Sequence, residues 1–258
     1  MKLKKILVSK FWFFILLIIS LTSSRSIKTS FKESQLKNKR VQDAYNEKFE
    51  LLKNLYETGG IDLRNHKIFF RAFKEEKQLE LWACVKKDSF KLIKTFDFCR
   101  ASGCIGPKRK CGDRQVPEGF YQINRFNPTS NYFLSLGLNY PNASDLIKSK
   151  AGNPGGDIFI HGSCVSIGCI SITDDKIKEV YIAAVEARDG GQKNIPIHIF
   201  PSRLGPSQFN KLSEIYADDP ETVAFWKNLK EGYDYFEKRR TPPIIGIDGK
   251  GRYMFLPI

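Results

Sequence analysis

From residue 67 the chain becomes a succession of short apolar runs, and this pattern constrains its fold more than any other feature. The runs KIFFRAF (67–73), LELWACV (79–85) and FKLIKTF (90–96) are separated by the charged stretches EEKQ and KKDS. Each is too short for an ordinary helix and rich in aromatic and branched residues, which predicts a β-meander. GFYQI (119–123), YFLSLGL (132–138), GDIFIHG (156–162) and IPIHIF (195–200) predict further strands. The expected class is therefore mainly β (α+β).

Three segments read as helices instead. In residues 41–57, Val41, Tyr45, Phe49, Leu52 and Tyr56 recur at spacings of three or four, and Gly59-Gly60 closes the run. A second helix begins near Thr173, with Asp174 and Asp175 where carboxylates favour the helix dipole. Its apolar stripe is Ile177, Val180, Tyr181, Ala184 and Val185, and Gly190-Gly191 ends it. The third starts at Asp219-Pro220-Glu221, an N-cap followed by proline, and presents Trp226, Leu229, Tyr233 and Phe236 on one face. The tail suggests a hairpin around Asp248-Gly249. The expected organisation is a leader (1–24), a basic linker and helix (25–66), a catalytic domain (67–201) and a C-terminal helical extension with hairpin (202–258).

The leader carries Lys2, Lys4, Lys5 and Lys10 before the apolar run FWFFILLIISL at residues 11–21. That length fits a signal peptide and is short for a spanning helix. Thr22, Ser23 and Ser24 offer a small-residue cleavage zone without a clean A-x-A, so an uncleaved N-terminal anchor stays open. Either way the segment is expected to contact the membrane during export, placing the protein in the periplasm or cell envelope. Half of the net charge of +14 lies in the first 60 residues. The rest suits an anionic envelope, and no recognition helix, zinc finger or RNP-like strand points to nucleic acid. The spacing of Cys99, Cys104 and Cys111 is a poor match to a zinc ribbon. No metal or organic cofactor is expected.

The chemistry concentrates in DIFIHGSCVSIGCISITD, residues 157–174. An apolar strand delivers His161 at its end, followed at once by Gly162. Eight residues on, Gly168-Cys169 opens another strand. A thiol must lose its proton to attack, and an imidazole within reach can take it. Gly168 permits a tight turn, and backbone N–H groups near Gly168 and Cys169 are candidate oxyanion donors. His66 lies in a charged connector, and His198 alternates with Ile197 and Ile199 as a structural residue would. Cys164 lies five residues before Cys169, so a disulfide between them would silence the nucleophile if their Cα atoms came within about 4.4–6.8 Å.

The sequence IHG, a spacer and S-x-G-C resembles the signature of the L,D-transpeptidase (YkuD-like) family. There the HG histidine is the base and the GC cysteine the nucleophile, which maps to His161 and Cys169. Ser166 stands at the serine of the signature, and Gly162 and Gly168 belong to its loop. GPKRKCGDRQVPEGFYQINRFNPTSNY (106–132) resembles the strand pair carrying G-D-x-x-T-P-x-G-x-Y/F. FRAFKEEKQLELW (70–82) and LNYPNASD (138–145) resemble the YafK-like branch. The resemblance implies a mainly antiparallel β-sandwich. It also implies a cysteine acyltransferase acting on peptidoglycan stem peptides, or on a wall-linked protein, through a thioacyl-enzyme. Three departures matter. The spacer is shorter than the family's, Ile167 stands where a histidine is usual, and Ser171 where an arginine is usual. Hydrolysis of a wall amide, or a non-catalytic wall-binding module, are the alternatives.

Overall fold

A computed structural model of the chain describes residues 29–63, 66–85, 89–149 and 152–256. The expected leader lies outside the described residues. Among the described residues no helix is long and apolar enough to cross a membrane.

The basic segment expected as linker folds from Ser30. That residue and Glu33 form a capping box that opens α1 (Phe31–Gln35). Serine followed three positions later by glutamate satisfies two orphan amides reciprocally, a local signal that the charge run obscured. α2 (Lys39–Thr58) follows, capped by Asn38, and buries Val41, Leu52 and Tyr56. Tyr45 and Phe49 pack beside them, half-buried.

The meander follows as β1 (His66–Phe73), β2 (Gln78–Val85) and β3 (Lys91–Asp97), paired antiparallel in sequence. After it come β4 (Gly119–Asn127), β5 (Ser135–Leu138), α3 (Ala143–Lys148), β6 (Phe159–His161) and β7 (Ile170–Ser171). Next are α4 (Asp174–Asp189), capped by Thr173, and β8 (Ile195–Phe200). The C-terminal part holds α5 (Pro206–Ile215), α6 (Pro220–Arg239) and the hairpin β9 (Ile244–Ile247) with β10 (Tyr253–Leu256). The run at 132–138 forms a strand only from Ser135, because Phe133 takes a φ of 69° that no strand accommodates.

One eight-stranded sheet dominates, in the order β3-β2-β1-β8-β4-β5-β6-β7. It is mixed: β1 runs parallel to β8, and β6 parallel to β7. Its two ends meet. Just past β3, Arg100 bridges to Ser171 of β7, and the Cys99 N–H donates to the Ser171 carbonyl at 2.9 Å. The sheet thus curls nearly closed and brings the exit of β3 against the end of β6. Strand alternation sends Ile68, Phe70 and Ala72 into the core beneath α2 and α4. Phe69 and Phe73 face the other way, toward α6.

All three histidines sit in this interior, and burial pushes each below the ordinary imidazole range. His198 lies edge-on between Phe69 and Phe120, at 4.5 and 4.6 Å between ring centres. Below about pH 6.5 the unfolded chain therefore binds more protons at these groups than the folded one, and acid destabilises the fold. Asp145, pushed up to about 6 by burial, acts in the opposite direction and offsets part of this. Denaturant titrations should show stability falling from pH 7 to pH 5. His198→Phe should flatten the slope by up to ~1.4 kcal/mol per pH unit. An unaltered slope in that variant would remove His198 from the account.

Candidate functional site

β6 and β7 are parallel neighbours joined only by residues 162–169, shorter than the dozen or so residues a parallel crossover ordinarily takes. The connection closes because β7 is two residues long and the loop turns sharply. Ser163 has a φ of 62° and Gly168 a φ of 134°. A Cβ at Gly168 would stand 3.1 Å from the Gln115 carbonyl oxygen, so conformation and space both demand glycine. His161 pairs with Ser171 across the ladder, which puts Cys169 two positions before His161's partner.

His161 is buried, its ring tilted by 30° against that of Tyr132, with centres 4.6 Å apart. Its Nδ1 is hydrogen-bonded to the Gly162 carbonyl oxygen. A carbonyl only accepts, so the proton sits on Nδ1 and the lone pair on Nε2. Burial lowers the imidazole's pKa, and the Gly162 bond partly counteracts it. Cys169 is half-buried, with Sγ 3.7 Å from the Asp157 carbonyl oxygen. Burial raises its thiol above the ordinary range. Both groups are thereby held toward their neutral forms.

The residues around them are fixed by local bonds. Ser166 Oγ donates to the Cys169 carbonyl at 2.7 Å and accepts from the Gly168 N–H at 3.3 Å. It also lies 3.1 Å from Ser102 Oγ. The Gly162 N–H donates to the Leu134 carbonyl at 3.2 Å. That N–H is unavailable to an oxyanion, and Gly162 instead lets the loop lie against α4. A Cβ there would meet Asp174 Oδ1 at 2.4 Å. The same carboxylate accepts from the Ser163 N–H at 2.7 Å. His161, Ser166 and Cys169 line one cavity of about 350 Å3, together with Arg100, Tyr132, Val165 and Ile167. Among the described residues no cluster of His, Cys, Asp or Glu is gathered as a metal site.

Three contributors were not legible in the sequence. The apolar run at 132–138 predicts a strand from Tyr132, yet β5 begins only at Ser135. Tyr132 lies in the turn before β5, where Arg40 of α2 donates to the Ser130 and Phe133 carbonyls, both at 2.7 Å. Arg100 and Ser102 reach the site only because the sheet curls. The cysteine reading also changes. Cys164 pairs with Cys99, Cα to Cα 5.4 Å, and not with Cys169. The curl brings Cys99 to the loop from 65 residues away, a proximity that spacing along the loop does not reveal. Peptide mapping without reductant should recover a Cys99–Cys164 cross-link and an alkylated Cys169. A Cys164–Cys169 cross-link would contradict this arrangement.

The His161 imidazole and the Cys169 thiol thus share one small cavity beside the short loop that joins β6 to β7. The chain belongs to the L,D-transpeptidase catalytic domain (YkuD) family, whose model matches residues 73–198. It is 35% identical over 189 residues to a protein of Escherichia coli K12 named "Putative L,D-transpeptidase YafK". That match covers 72% of this chain and 73% of the relative. Among solved structures it resembles the helical cell shape determining protein Pgp2 of Campylobacter jejuni, with 18% identity and a TM-score of 0.43. This likeness covers 71% of this chain and 73% of that one. Bd1075 of Bdellovibrio bacteriovorus resembles it with 19% identity and a TM-score of 0.39, over 71% and 77% of the two chains.

Proposed function

We propose that the protein is an exported cysteine acyltransferase that acts on peptidoglycan stem peptides through a thioacyl-enzyme. The observation carrying this reading is the shared cavity, lined both by the Cys169 thiol and by His161, whose fixed tautomer leaves Nε2 basic. His161 takes the thiol proton as Sγ attacks the carbonyl carbon of a peptide bond. The oxyanion is held by the Cys169 N–H, since the amides of Gly162 and Gly168 already have acceptors. His161 then returns the proton to the departing amine, leaving a thioester on Cys169. An amine acceptor completes transfer, whereas water completes hydrolysis.

Export is supported by the Cys99–Cys164 disulfide, which suits an oxidising compartment. One observation favours hydrolysis as the second reading. Among the described residues the cavity is lined only by ones between 100 and 169, so the described part of the segment after Pro201 supplies none of its walls. Ile167 and Val165 of the short loop stand 76% and 49% exposed, leaving a thioester there open to water.

The test is to incubate the purified protein with tetrapeptide muropeptides, with and without excess amine acceptor, and weigh the products. Amine adducts dominating with acceptor would establish transfer. Free carboxylate regardless of acceptor would establish hydrolysis, and absence of both would sink the reading. His161→Ala should slow acylation by at least about 10²-fold. Because the imidazole must be neutral to act, the wild-type rate should rise with pH through a midpoint below the ordinary imidazole value. Normal acylation in the variant would show that another group takes the proton.

A further inference from the structure

The cavity around Cys169 holds one permanently charged lining residue among those described, and the mechanism above does not use it. Arg100 is exposed and borders the cavity with His161, Tyr132 and Cys169. Its backbone is clamped from both sides. The Ser171 hydroxyl donates to the Arg100 carbonyl at 2.7 Å, and the preceding N–H, of Cys99, donates to the Ser171 carbonyl at 2.9 Å. The Cys99–Cys164 disulfide ties the same stretch to the loop between His161 and Cys169. The chain thus fixes Arg100 to the active-site loop at its base, which an ordinary surface arginine does not need.

Charge balance sharpens the point. The charged side chains felt at the Cys169 thiol are Asp157 and Lys108. Lys108 is neutralised by Asp113 at 2.6 Å, and Asp157 by Arg125 at 2.8 Å. No ion pair among the described residues involves Arg100. An unneutralised guanidinium beside an otherwise apolar and neutral cavity favours an anion, and its planar fork matches a carboxylate bidentately.

We propose that the Arg100 guanidinium binds a carboxylate of the substrate beside Cys169, so that the site selects peptides bearing a free carboxylate near the bond attacked. Ser171 serves as a positioning residue that holds the Arg100 backbone. The proposal rests on the acyl-transfer reading for its substrate, but its recognition step can be tested without turnover. Iodoacetate and iodoacetamide both alkylate a cysteine by displacement of iodide from carbon by sulfur, and they differ in carrying a carboxylate or a neutral amide. The rates at Cys169 are read by mass from the peptide containing it.

Arg100→Gln leaves the backbone bonds to Ser171 in place, so the fold should be retained. It is expected to lower the iodoacetate-to-iodoacetamide rate ratio at Cys169 by about tenfold, the scale of one charge-assisted pair. Arg100→Glu should lower it further, and any change in thiolate fraction affects both reagents alike and cancels in the ratio. A ratio unmoved by Arg100→Gln, or equal slowing with both reagents, would overturn the proposal. If the ratio shifts as expected while wild-type protein leaves muropeptides unprocessed, carboxylate recognition stands and the acyl-transfer reading fails.

Discussion

Cys169→Ala is expected to abolish covalent capture by an acylating inhibitor and to reduce turnover of a wall peptide by at least about 10³-fold. In the proposed mechanism the Cys169 sulfur is the attacking atom, and the Ser166 hydroxyl of the same cavity is a far weaker nucleophile already engaged with the Cys169 carbonyl. Fold disruption should not confound the result, because Cys169 is half-buried and stands outside the Cys99–Cys164 disulfide. Cys104→Ala and Cys111→Ala, both at exposed positions, should retain most activity and serve as controls. The measurement also separates an enzyme from a non-catalytic wall-binding module. A module would show a Cys169 no more reactive than an ordinary buried thiol and would bind wall material equally well in the variant.

The elements with strong local signals were legible in the sequence. Thr173 and Asp219 do cap α4 and α6, and the first three apolar runs do pair as a meander. α5 was not legible, because its N-cap is Gly205, which makes no side-chain capping bond. The pairing of strands distant in sequence was equally hidden. Nothing in KIFFRAF or IPIHIF announces that β1 and β8 lie parallel. The candidate site divides along the same line. His161, Ser166 and Cys169 lie on one stretch of chain and could be read together. Arg100, Ser102 and Tyr132 are brought to them by the curl of the sheet and by the Arg40 bonds, which are tertiary events. The shortness of the loop, a departure within the family resemblance, has its physical counterpart in the tight parallel connection between β6 and β7.

The same separation of local from tertiary information governs stability, and Glu118 is where it should be felt most. This carboxylate is fully buried just before β4. One oxygen accepts from Lys74 Nζ at 2.9 Å and from the Gly106 N–H at 2.6 Å. The other accepts from Trp226 Nε1 of α6 at 2.7 Å. Lys74 Nζ also donates to the carbonyls of Gly106 and Val116, at 2.7 and 2.9 Å. The network therefore joins the end of β1, the loop before β4 and the C-terminal helix through a charge pair whose donors are all engaged. Glu118→Ala would leave an ammonium, an indole N–H and an amide buried without their acceptor. A buried charge stripped of its partner costs about 3–5 kcal/mol, well above the ~1 kcal/mol of a typical substitution. Urea unfolding should register that loss as a lower midpoint with an unchanged slope. The double variant Lys74→Met with Glu118→Gln should cost less than Glu118→Ala alone, because no net charge then remains inside and the glutamine can still accept from Trp226. A loss below about 1 kcal/mol for Glu118→Ala, within the range of ordinary surface changes, would mean that water reaches Lys74 and that α6 is held to the sheet by apolar contact alone.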